Sequence, residues 1–140
     1  MQEKTSIAAK SSLQKFENVI IQSNIEIAGV PAYWEEHLTG EPGVGVRFRI
    51  GEVTLVGISP RARCNVPPRD PFTGTIDKQF VKKMVTLRQQ TLPEWSRIEG
   101  FGGYYQLTIN TFIPDSELGK MIRVGDQVEI LEQVPLAQGA

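Results

Sequence analysis

Residues 44–58, VGVRFRIGEVTLVGI, constrain the fold more than any other stretch. From Val44 to Ile50 the pattern alternates, so Val46, Phe48 and Ile50 fall on one face and Arg47 and Arg49 on the other. A period of two belongs to a half-buried β-strand. Gly51-Glu52 is a tight turn, and residues 53–58 are the returning strand. Gly 13 and Pro 9 punctuate the chain, which argues for many short elements rather than a helical bundle. The fold class expected is mainly β with a few short helices, as a barrel or a sandwich.

The remaining elements are placed around this hairpin. Residues 1–11 are polar and expected to fray. Ser12 caps a short helix to about residue 17, with Leu13 and Phe16 turned inward. Residues 18–27 read as a strand, and residues 34–38 as one helical turn after Pro31. The spacing predicts a helix over 77–90, with Ile76, Phe80, Met84 and Leu87 forming one apolar stripe. Lys78, Lys82, Lys83 and Arg88 lie largely off that stripe and are expected on a solvated face. Residues 92–97 add a short turn and 103–113 a β-rich run. Residues 121–124 and 127–131 flank Gly125-Asp126 as a hairpin-like close. A single domain is expected over 12–132, followed by a tail over 133–140.

Several classes are excluded. No apolar run approaches the ~20 residues of a membrane helix, and MQEKTSIAAKSS lacks the apolar stretch of a secretory signal. Cys 1 forbids an internal disulfide, so a reducing, cytoplasmic setting is expected. Cys 1 and His 1 forbid a Cys/His zinc cage within one chain. The net charge of -1 hides a cationic middle, because residues 47–97 carry ten basic and four acidic side chains. That middle suggests a local anion site. A pI of about 5.9 and the lack of an aromatic-interleaved motif argue against nucleic acid. His37 follows Glu35 and Glu36 and reads as a surface side chain. Phe101-Gly102-Gly103-Tyr104 lacks the spacing of a dinucleotide loop and reads as a strand entry.

Cys64 is the most informative position. It sits in the loop 59–75, SPRARCNVPPRDPFTGT, beside Arg61 and Arg63 and near Arg69. A cationic setting favours the thiolate, which is both a nucleophile and a soft metal ligand. The alternative is an inert cysteine packed as a small hydrophobe. Asp70 is the acid nearest to it in sequence, and Asp70-Pro71-Phe72-Thr73-Gly74 also suits a carboxylate that caps a turn.

The order of these pieces resembles a MOSC domain, the module named after the C-terminal part of molybdenum-cofactor sulfurase and also found in amidoxime-reducing components. The resemblance runs from about Ser12 to Leu131. It rests on Asn24 within Gln22-Ser23-Asn24, Ile50-Gly51, Arg63-Cys64, Asp70-Pro71 with Thr73-Gly74, Leu87-Arg88, Phe101-Gly102-Gly103-Tyr104, and Val124-Gly125-Asp126 before Val128. It implies a barrel-like β fold, incomplete in one chain because the family's early strands are missing, and completed in a homodimer. It also implies that Cys64 ligates molybdenum in a molybdopterin cofactor or carries sulfur as a persulfide. Asn24, Arg61, Arg63, Arg69 and Asp70 would line the cofactor. The activity implied is reduction of small N-hydroxylated compounds with a redox or sulfur-donor protein as partner; the family is also associated with pyridoxal phosphate. Two departures point instead to a non-catalytic binding or assembly module. Gln22-Ser23-Asn24 stands where relatives often carry R-P-N, and Val66-Pro67-Pro68 where they carry T-T-V.

Overall fold

The computed structural model describes residues 5–7, 23–64 and 66–137, with residues 5–7 as backbone only. Six strands form one antiparallel sheet in the order β2-β1-β6-β3-β4-β5. These are β1 Thr5–Ile7, β2 Ile27–Ala28, β3 Val44–Ile50, β4 Val53–Ala62, β5 Gln106–Phe112 and β6 Gln127–Pro135. Among the described residues no ladder joins β2 to β5, so the barrel-like sheet is open between those two edges. One α-helix, α1 Phe80–Gln90, and a 3₁₀ turn at Trp34–Leu38 accompany it.

The β3–β4 hairpin forms as the alternation dictates, with Ile50 opposite Val53 across Gly51-Glu52. Gly51 has φ +57°, a left-handed angle that glycine adopts without a Cβ penalty. Val46, Phe48 and Ile50 are buried, while Arg47 and Arg49 stay exposed. β3 also pairs with β6, Arg47 opposite Glu132 and Arg49 opposite Glu129. Arg47 meets Glu132 at 2.6 Å, and Arg49 meets Glu129 as a second cross-strand ion pair. The core joins Trp34, Leu38, Phe48, Ile50, Val53, Leu55 and Val128. Each such side chain contributes roughly 1.5–3 kcal/mol by leaving water. Leu38 lies so near the sheet that a Cβ on Gly57 would sit 1.6 Å from its carbonyl oxygen.

Four expectations need correction or extension. β4 runs past residue 58 to Ala62, through the buried Pro60. Its pairing with β3 stops at Gly57, so Pro60 lies where only β5 is a partner, and a missing N–H is tolerated on such a one-sided stretch. Residues 121–124 are not a strand: Asp126 Oδ2 accepts the Arg123 N–H at 2.8 Å and closes a turn, and β6 pairs with β3 and β1 instead. The helix starts at Phe80 and turns Met84 and Arg88 inward, while Ile76 and Leu87 are 42% and 58% exposed. Arg88, expected on a solvated face, is 1% exposed because a buried carboxylate waits for it. The fourth concerns the N-terminal stretch read as frayed: Thr5–Ile7 pairs with β2 and β6 there. The helix expected over 12–17 and most of the strand over 18–27 lie outside the described residues.

Candidate functional site

β4 delivers Cys64 two residues beyond its last strand residue, and the thiol is free and exposed. Tyr105 holds the segment from the neighbouring chain. Its carbonyl accepts the Arg63 N–H at 3.2 Å, and its hydroxyl donates to the Cys64 carbonyl at 2.9 Å. Phe80, the first residue of α1, meets the Tyr105 ring edge-on with centroids 6.4 Å apart. Strand, tyrosine and helix therefore fix the backbone that carries the thiol.

Arg63 turns onto β5. Its Nε donates to the Leu107 carbonyl at 3.0 Å and its Nη2 to Thr108 Oγ1 at 2.5 Å. Burial lowers its pKa, helped by the positive charge of Arg61 and opposed by the charges of Cys64 and Tyr105. The Tyr105 hydroxyl is pushed up by burial and by the Cys64 charge, with Arg63 opposing. Thr108 has φ +66°, uncommon for a β-branched residue. Register explains the angle: Pro60 faces Ile109 and Ala62 faces Gln106, so β5 carries an extra residue between them, a β-bulge at 107–108. Such an angle costs on the order of 1–3 kcal/mol and persists only where surroundings hold it.

The Asp70 loop is a self-contained turn. Asp70 Oδ1 accepts the N–H groups of Phe72 and Thr73 at 2.8 and 2.9 Å. Those donors, Thr73 first, hold its carboxyl below the usual range. Gly74, at φ +73°, donates to the Asp70 carbonyl at 2.9 Å. Arg69 Nη1 donates to the Gly74 carbonyl at 3.1 Å and braces the same turn. Arg61 is exposed beside Cys64. Asn24 is exposed ahead of β2, separated from β4 in the sheet by β1, β6 and β3. Arg47 and Arg49, grouped with the Cys64 arginines by sequence charge, are paired with β6 acids.

Sequence reasoning missed a second cluster. Arg88 Nη2 pairs with Glu36 Oε1, and both side chains are buried. The Tyr33 ring covers the guanidinium, with Cζ 3.5 Å from its centroid. Ser96 Oγ donates to Glu36 Oε2 at 3.4 Å. Burial pushes the Glu36 carboxyl up, and Arg88 opposes the shift. Glu35 is also pushed up by burial; its own amide, the Arg88 charge and the Thr108 amide all oppose. His37 is not an isolated surface side chain, since it stacks on Trp95 with centroids 3.6 Å apart. The signal that was available for Arg88 is its four-residue spacing from Met84. Nothing in the local sequence marks Thr108.

The donor set tests what a metal would find here. Among the described residues no three His, Cys, Asp or Glu side chains gather to hold an ion. Cys64 offers one soft ligand, so a metal at this site needs its other ligands from the cofactor that brings it. A pterin dithiolene meets that need, and the exposed thiol with Arg61 beside it fits such an anionic group. No helix among the described residues is long and apolar enough to cross a membrane. A family model described as MOSC domain matches residues 5–129. No curated protein and no solved structure matched the chain.

Proposed function

The chain belongs to the MOSC domain family, and from that premise we propose that it binds molybdenum cofactor, with Cys64 as the protein's ligand to the metal. The observation that carries this reading is the exposed thiol, held at the end of β4 by Tyr105. When bound, the cofactor supplies two-electron redox chemistry. The residues of this chain hold and orient it. Arg61 and Arg69 place positive charge over its oxygens, and Arg63 adds its charge from β5. Asp70 keeps the neighbouring turn closed.

Asn24 and Cys64 stand toward opposite sides of the open seam, one ahead of β2 and one beside β5. Closing that seam is the step that would bring Asn24 into the site, and a homodimer is the proposed means. The substrate class proposed is a small N-hydroxylated compound. Its reduction to the amine and water takes two electrons and two protons, which a redox protein partner supplies. Persulfide carriage on Cys64 is the same site used without the metal.

The test is metal and pterin content after expression in a cofactor-proficient host. Stoichiometric molybdenum that disappears in Cys64→Ser supports the reading, and metal-free protein overturns it. Light scattering at micromolar concentration checks the dimer, and a monomer counts against it. A second reading, a binding or assembly module without catalysis, is favoured by one specific feature. Arg63 and Asp70 direct their polar atoms into β5 and the turn. It predicts that Cys64→Ala assembles and binds its partner as the native chain does.

A further inference from the structure

The bulge in β5 lies where two layers of the molecule meet. On the buried side, the Thr108 amide donates to the carboxylate of Glu35, beside the Arg88–Glu36 pair. On the rim side, Thr108 Oγ1 accepts from Arg63 Nη2 at 2.5 Å, one residue from Cys64. One residue thus ties the interior to the segment that presents the thiol. Its φ of +66° makes the choice of residue informative. Glycine occupies that angle at no steric cost, so a threonine retained there points to a use for its hydroxyl.

We propose that Thr108 is a positioning residue for Cys64: its amide is anchored on Glu35, its hydroxyl fixes the Arg63 guanidinium, and Arg63 carries that restraint to the thiol. This rests on Cys64 being the working residue of the site. Arg63 then acts as a strut that joins the Cys64 segment to β5. With Tyr105 on the Cys64 carbonyl, the segment has two restraints, and Thr108 supplies the one that depends on a side-chain hydroxyl. A thiol that must meet a metal or accept a sulfur atom benefits from a fixed direction, since misplacement by ~1 Å is costly at a reacting centre.

Cys64 is the chain's one cysteine, so a nitroxide attached to it reports this segment alone. The experiment compares its room-temperature spin-label spectrum in the metal-free full chain and in Thr108→Gly, Thr108→Val, Thr108→Ser and Arg63→Met. Melting temperature is read on the same samples. Thr108→Gly and Arg63→Met should shorten the label's correlation time about twofold or more, on the nanosecond scale where loop motion appears. Thr108→Ser should restore the native spectrum. Thr108→Val keeps the shape without the hydroxyl and should behave like glycine; where it does not fold, glycine and Arg63→Met carry the result. Melting temperatures that move with unchanged spectra would show a structural role only and overturn the proposal. So would a serine variant as mobile as glycine. Because no metal is present, a positive result stands even where molybdenum is never found, and a negative one leaves the cofactor test intact.

Discussion

Arg88 and Arg61 carry the same guanidinium into opposite surroundings. Arg88 lies under the Tyr33 ring and against Glu36, at 1% exposure, whereas Arg61 stands in solvent at the end of β4. In the first region charge holds α1 to the turn at Trp34–Leu38, and removing either partner strands the other in a medium that solvates it poorly. In the second, charge is cheap to keep and free to meet a ligand. The contrast separates residues that keep the fold from residues that give it chemistry, and four substitutions sharpen or break it.

The largest effect is expected from Arg88→Met. Urea unfolding should show a loss of about 3–5 kcal/mol, because Glu36 is left buried and unpaired. Adding Glu36→Leu should recover most of that loss. A double variant as unstable as the single one would mean that the pair does more than neutralise itself.

Glu35→Gln comes next. Burial raises the folded pKa of Glu35 above its ordinary value of 4.5. An acid shifted upward contributes stability that is complete below its unfolded pKa and is lost as pH rises through its folded pKa. The glutamine has no such loss, so its melting temperature should gain on the native chain between weakly acidic and neutral pH. A constant difference across that window would show that Glu35 does not titrate with folding. Arg47→Ala, at an exposed pair, should cost about 0.2–1 kcal/mol, and salt should erase the difference. Cys64→Ser should lie within about 0.5 kcal/mol of the native chain while removing bound molybdenum. A large loss there would move Cys64 from the second region into the first.

The sequence made the hairpin at residues 44–58 legible because two-residue periodicity and a glycine turn are local properties. The Cys64 loop and the Asp70 turn were readable for the same reason, since the loop's proline, arginine and aspartate chemistry acts over a few residues. The Arg88–Glu36 pair was not, as its partners are 52 residues apart and helical charge patterning alone favours the solvated face. Residues 121–124 looked like a strand by composition, yet β6 already has β3 and β1 as neighbours. Thr108 was invisible because its angle follows from the register of two strands, and register is not written in either strand alone.

The pairing of β3 has a consequence for how the chain is made. On one side β3 zips to β4 across a two-residue turn, but on the other it waits for β6, and Arg49 meets Glu129 across 80 residues of sequence. At about 5–20 residues per second, a ribosome takes about 4–16 s to supply that partner. Throughout that interval β3 is an open edge on a finished hairpin, the kind of surface on which nascent chains pair wrongly. Arg47 and Arg49 are present from the start. Two charges on an unpaired strand discourage a second copy from adding to it. The cross-strand pairs that add little to the finished protein thus have an earlier employment, guarding the half-built sheet until its own last strand arrives.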